Sequence, residues 1–183
     1  SIGGVTGTVV DPKIVLADLG DSLDLSLEFR PHSIQTRYFK APEVILSLDY
    51  GIECDIWGVG CLMYELLTGN ILFDPYDYST DKKRTILHLI YNYIGCVPDE
   101  MIDKSPIKSL YYTEKKILKS QIEFQEEYKS FYEGNIWINL INKLNTFTIK
   151  KYLLLDLLLK LLQINPKDRI TARKALNHPL FLL

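Results

Sequence analysis

The segment E-C-D-I-W-G-V-G-C-L-M-Y-E-L-L-T, residues 53–68, constrains this chain most. Its side chains are apolar or small on nearly every face, and it runs into Gly69, the residue type that most readily takes the left-handed cap closing a helix. A helix with no polar face has no side to give to water, so the sequence predicts a helix enclosed all round by other elements. Asp55 near its start is the exception, because a carboxylate entering a core needs donors waiting for it. The 183 residues, 47% of them hydrophobic, suffice for one domain that buries about 70% of its unfolded surface.

The elements available to enclose that helix are themselves helical. A second helix is predicted from Asp81 to Ile94, stopped by Gly95, and Pro98-Asp99-Glu100 opens a short third. From Thr148 a helix continues to about Gln163 with Asp156, Lys160 and Gln163 on one polar stripe, and Asn165-Pro166 ends it. Thr171 caps a final helix over residues 172–177. Residues 103–135 are mixed in charge and weakly periodic, which reads as a surface insertion. K-I-V-L-A at 13–17 reads as a short buried strand ending at Asp18-Leu19-Gly20. From Asp21 to Lys40 no period of 2 or 3.6 persists, and a loop of that length in a compact domain is usually functional.

That loop ends in Q-T-R-Y-F-K-A-P-E-V-I-L, residues 35–46. Pro42 suits the first position of a helix, where a missing N–H costs nothing, and Glu43 suits the positive helix end. Local rules leave Arg37 and Lys40 unexplained.

Several functions are disfavoured. A net charge of −2 argues against a nucleic-acid binder held by phosphate contacts. Cys54, Cys61 and Cys96 are odd in number and lack C-x-x-C spacing, which disfavours a disulfide or zinc framework and suits an intracellular compartment. His32, His88 and His178 are scattered and suggest no metal site. The most apolar stretch, 152–162, is about half a membrane span and is broken by Asp156 and Lys160, so no membrane partner is expected.

Asp18-Leu19-Gly20, Ala41-Pro42-Glu43, Asp55-Ile56-Trp57-Gly58-Val59-Gly60 and Asp168-Arg169 occur in one order along the chain. That order and spacing resemble the C-terminal lobe of a eukaryotic protein kinase, from about Lys13 to Phe181. T-R-Y-F-K-A-P-E-V-I-L resembles the group that holds the cyclin-dependent, mitogen-activated and SR-protein kinases (CMGC). The leucine of Asp18-Leu19-Gly20, Gln35 before Thr36, and Leu72-Phe73-Asp74-Pro75 followed later by Gly95-Cys96-Val97-Pro98 are most similar to SR-protein kinases, with CLK-like and dual-specificity kinases next.

The resemblance implies a mainly α fold, the helical C-terminal lobe of a protein kinase with a short β-strand pair at its N-terminal edge. It implies that Asp18 binds the Mg²⁺ bridging the phosphates of ATP and that Gly20 lets the backbone reverse beside it. Thr36 would bond the catalytic loop, while Arg37 and Lys40 would form the substrate pocket beyond the phosphoacceptor. Arg is usual where this chain has Lys40, and Lys lacks Arg's bidentate fork. Glu43 and Arg169 would make a buried ion pair, and Asp55 would anchor the catalytic loop.

A kinase also needs a Gly-rich phosphate loop, a strand lysine and H-R-D-x-x-x-x-N, none of which occurs in these residues. The chain is therefore expected to be a partial kinase domain over 1–183, missing its N-terminal lobe and catalytic loop. It is read as part of a serine/threonine kinase in the cytoplasm or nucleus, acting on protein substrates, Arg-Ser-rich ones included, and inactive by itself. The alternative is a catalytically dead remnant serving as a protein-binding module. Glu123, Glu126 and Glu127 are spaced to form one acidic helix face for a basic partner.

Overall fold

The computed structural model describes residues 14–24, 26, 34–75, 81–123, 137, 140 and 148–182. It divides into two units, Ser1–Arg30 and Pro31–Leu183.

Within the first unit, the described residues form a 3-10 turn over Leu19–Asp21. The strand predicted at 13–17 does not form across residues 14–17: Ile14, Val15 and Leu16 are 96%, 80% and 84% exposed. A strand exists only through the ladder it joins, and no partner strand is present among the described residues. The expected N-terminal strand pair is therefore not seen among the described residues.

The second unit is helical among its described residues, with one isolated bridge between Tyr112 and Leu118. Its elements are α1 (Pro42–Ile45), α2 (Glu53–Thr68), α3 (Lys82–Tyr93), α4 (Asp99–Lys104), α5 (Lys108–Tyr111), α6 (Lys119–Glu123), α7 (Thr148–Leu161) and α8 (Ala172–Leu176). Local signals set the ends of α3. The Asp81 carboxylate accepts from the Lys83 and Arg84 amides, and Ile94 and Gly95 close the helix onto the Ile90 carbonyl. Thr171 likewise accepts from Lys174 N–H at the start of α8.

The core gathers around α2. Trp57 is fully buried, stacked on Phe73 with centroids 5.5 Å apart, and Phe73 stacks in turn on Tyr93 at 6.3 Å. On the facing side α2 meets α7 closely at Gly60, where an added Cβ would lie 2.8 Å from Leu162 Cδ2. Only a residue without a side chain lets the two helices approach so near. From α3, Ile86, Leu87, Leu89 and Ile90 complete this layer.

Helix α2 is not enclosed on all sides: Cys54, Trp57, Gly60 and Cys61 face the core, while Asp55, Val59, Leu62 and Leu66 share an exposed face. These four recur at helical spacing, so the carboxylate predicted to enter the core stands instead on the open side. The insertion expected at 103–135 is not purely surface either. Ser105, Tyr111, Tyr112, Leu118 and Ser120 are buried, and Ser105 Oγ donates to the Leu46 carbonyl at 2.7 Å, fastening the segment to the end of α1. Across 103–123 the weak periodicity reflects short helices that each bury one or two side chains, and residues 124–135 lie outside the described residues. No helix among the described residues is long and apolar enough to cross a membrane.

Candidate active site

The centre of the site is the chain entering α1. A 3-10 turn over Arg37–Phe39 lies against α2, and Ala41 then serves as N-cap with Pro42 at the first helical position. Glu43 follows in the first turn, fully buried.

A buried carboxylate survives only with donors, and Arg169 supplies them. Its Nη1 and Nη2 donate to Glu43 Oε1 and Oε2 at 2.7 and 3.0 Å. The remaining guanidinium hydrogens go to the carbonyls of Glu53 at 2.6 Å, Gln163 at 2.9 Å and Ile164 at 3.3 Å. Every donor of the guanidinium is thus used, and its plane sits 5.2 Å from the Trp57 ring centroid. The turn that delivers Arg169 is local, with Asp168 and Arg169 amides donating to the Asn165 and Pro166 carbonyls. One side chain therefore binds α1, the first turn of α2 and the chain leaving α7.

Lys40 is 7% exposed, and its ammonium donates to the Ile34 carbonyl instead of facing outward. Burial, and then the charge of Lys83, holds its pKa below the usual lysine range. Arg37 and Thr36 are exposed, and Thr36 makes no side-chain capping bond. Asp55 is exposed at the start of α2, with Oδ1 3.9 Å from the Cys54 thiol. Burial, reinforced by Asp55 and Glu43, pushes that thiol up to about 12, so Cys54 is no nucleophile near neutral pH.

Asp18 belongs to the first unit. It has left-handed backbone angles, φ 59° and ψ 56°, precedes the turn containing Gly20, and is exposed with no side-chain capping bond. No group of three or more His, Cys, Asp or Glu side chains able to hold a metal occurs among the described residues. Of the expected site residues, the structure brings Glu43 and Arg169 into contact, sets Thr36, Arg37 and Lys40 on the turn leading to α1, and keeps Asp55 separate on the open face of α2. Glu126 and Glu127, with the side chain of Glu123, lie outside what is described.

Sequence reasoning missed Gln35 as a structural contributor. Its carboxamide donates to the Cys54 carbonyl at 2.8 Å and accepts from the Ala41 amide at 2.9 Å. Both partners are backbone groups, which no residue pattern advertises.

Residues 8–181 match the family described as the protein kinase domain, and the chain belongs to that family. A protein named as a serine/threonine-protein kinase from Acanthamoeba polyphaga mimivirus is 33% identical over 93% of this chain and 31% of its own length. The dual specificity protein kinase CLK1 of Mus musculus is 29% identical, with 95% and 34% covered. The dual specificity protein kinase lkh1 of Schizosaccharomyces pombe is 32% identical, with 92% and 24% covered. The chain thus spans about a quarter to a third of the length of these relatives.

Proposed function

We propose that this chain forms the substrate-side, helical part of a serine/threonine protein kinase that transfers the γ-phosphoryl group of ATP to Ser or Thr hydroxyls of proteins. The observation that carries the reading is the buried Glu43–Arg169 pair, which ties the end of the 35–46 segment to the α2 core within a chain of the kinase family. A surface that positions a peptide against a reacting phosphate must be rigid, and this pair makes one end of it so.

Asp18 fits a magnesium role in chemical type: it offers a hard oxygen ligand, exposed and not spent on capping its own turn. Mg²⁺ takes one or two protein carboxylates and completes its shell with phosphate oxygens and water, neutralising their charge when bound. In this reading Gly20 gives the backbone its freedom beside Asp18. Thr36 bonds the catalytic loop, Arg37 contacts the peptide, and Lys40 shapes the pocket from behind through the Ile34 carbonyl. Asp55, on the open face of α2, anchors the catalytic loop. In this reading the phosphate loop and strand lysine of an N-terminal lobe, and the H-R-D catalytic loop, are supplied by residues other than these. Arg-Ser-rich proteins are the substrate class this reading favours, in keeping with the likeness to SR-protein kinases, and the cytoplasm or nucleus is the compartment.

The test is phosphorylation of an Arg-Ser peptide by the natural gene product carrying this sequence, beside its Asp18→Asn variant and the 183-residue chain alone. Transfer by the first only, with the variant still folded, supports the reading. Transfer by the 183 residues alone contradicts the division of labour, and no transfer by the natural product on Arg-Ser or other Ser/Thr proteins favours a protein-binding module.

A further inference from the structure

Residues 34–41 close on themselves through side chains. Gln35 has φ 63°, a backbone region that side-chain-bearing residues rarely adopt. Its Oε1 accepts from the Ala41 amide, closing the loop at its own base, while Nε2 donates to the Cys54 carbonyl and pins that base to the first turn of α2. Lys40 crosses in the opposite sense, its ammonium reaching back to the Ile34 carbonyl. Between these two ties Thr36 and Arg37 remain exposed.

We propose that Gln35, with Lys40 as its counter-tie, is a positioning residue that fixes the 36–39 turn so that Arg37 is presented to a peptide substrate and Thr36 to the catalytic loop. This rests on the kinase reading above. If the left-handed backbone were the only requirement at position 35, glycine would meet it without strain. A glutamine is held there against strain by two directed bonds, and such strain persists only where surrounding structure over-determines it. Gln35 touches no substrate in this account; it acts through the turn.

The distinguishing variant is Gln35→Gly, which relieves the backbone while deleting both bonds. Gln35→Glu keeps an acceptor for the Ala41 amide and sets an oxygen against the Cys54 carbonyl. In the natural gene product carrying this sequence, amide exchange at Ala41 is expected to rise about five- to tenfold in Gln35→Gly and less in Gln35→Glu. The KM for a serine-containing peptide is expected to rise by a similar factor, with kcat and the KM for ATP within about twofold of the parent. Unchanged Ala41 exchange in Gln35→Gly, or raised exchange with unchanged peptide KM, overturns the proposal. Absence of any phosphotransfer by the parent would overturn the kinase reading, and Ala41 exchange would then decide by itself whether Gln35 holds the turn.

Discussion

Residues 14–24 and residues 34–46 lie on either side of segment 25–33 in the sequence, yet they are built on opposite terms. Around Asp18 the apolar side chains are exposed and a single 3-10 turn supplies the order. Around Glu43 the chain is buried from Lys40 to Leu46 and held by Arg169, a residue 126 positions away in sequence. The first stretch has chemistry without packing, and the second has packing that fixes geometry.

That contrast predicts stability effects that differ sharply between the two stretches. Arg169→Ala leaves Glu43 charged and alone in the core, and is expected to destabilise by about 3–5 kcal/mol in denaturant unfolding. Gly60→Ala presses a methyl group onto Leu162 beside the same network and should cost about 1–3 kcal/mol, read as a lowered melting midpoint.

A pH effect sharpens the packed side. His88 is buried, Nδ1 3.2 Å from Ser120 Oγ, and burial lowers its pKa. The unfolded chain therefore binds the proton first, so stability should fall as pH drops below about 6.5. His88→Gln should flatten that decline, as measured by unfolding at about pH 7.5 and about pH 5. Smallest of all, Asp18→Asn and Lys160→Ala should each shift stability by less than about 0.5 kcal/mol, the second removing an exposed partner of Asp156. A large loss from Asp18→Asn would erase the contrast.

The legible parts of this fold are those set by neighbouring residues. Asp81 and Gly95 bracket α3, and Pro42 opens α1, because caps act within a few positions. The face α2 exposes was not legible, since Val59, Leu62 and Leu66 carry the same apolar signature whether or not an element covers them. The strand expected at 13–17 is not seen across 14–17, its described residues, for a related reason: propensity is local and a ladder partner is not. Neither spacing nor periodicity could pair Glu43 with Arg169; the motif order suggested it through family likeness. The tie that Gln35 makes was silent because its partners are a carbonyl and an amide of the main chain.

The measurement closest to the central claim is a double-mutant cycle between Glu43→Gln and Arg169→Gln, followed by chemical denaturation. If the pair locks the 35–46 segment to the core, each single change is costly and the double variant recovers about 2–3 kcal/mol relative to their sum. Additivity within about 0.5 kcal/mol would mean that the two side chains, though 2.7 Å apart, do not hold the segment together.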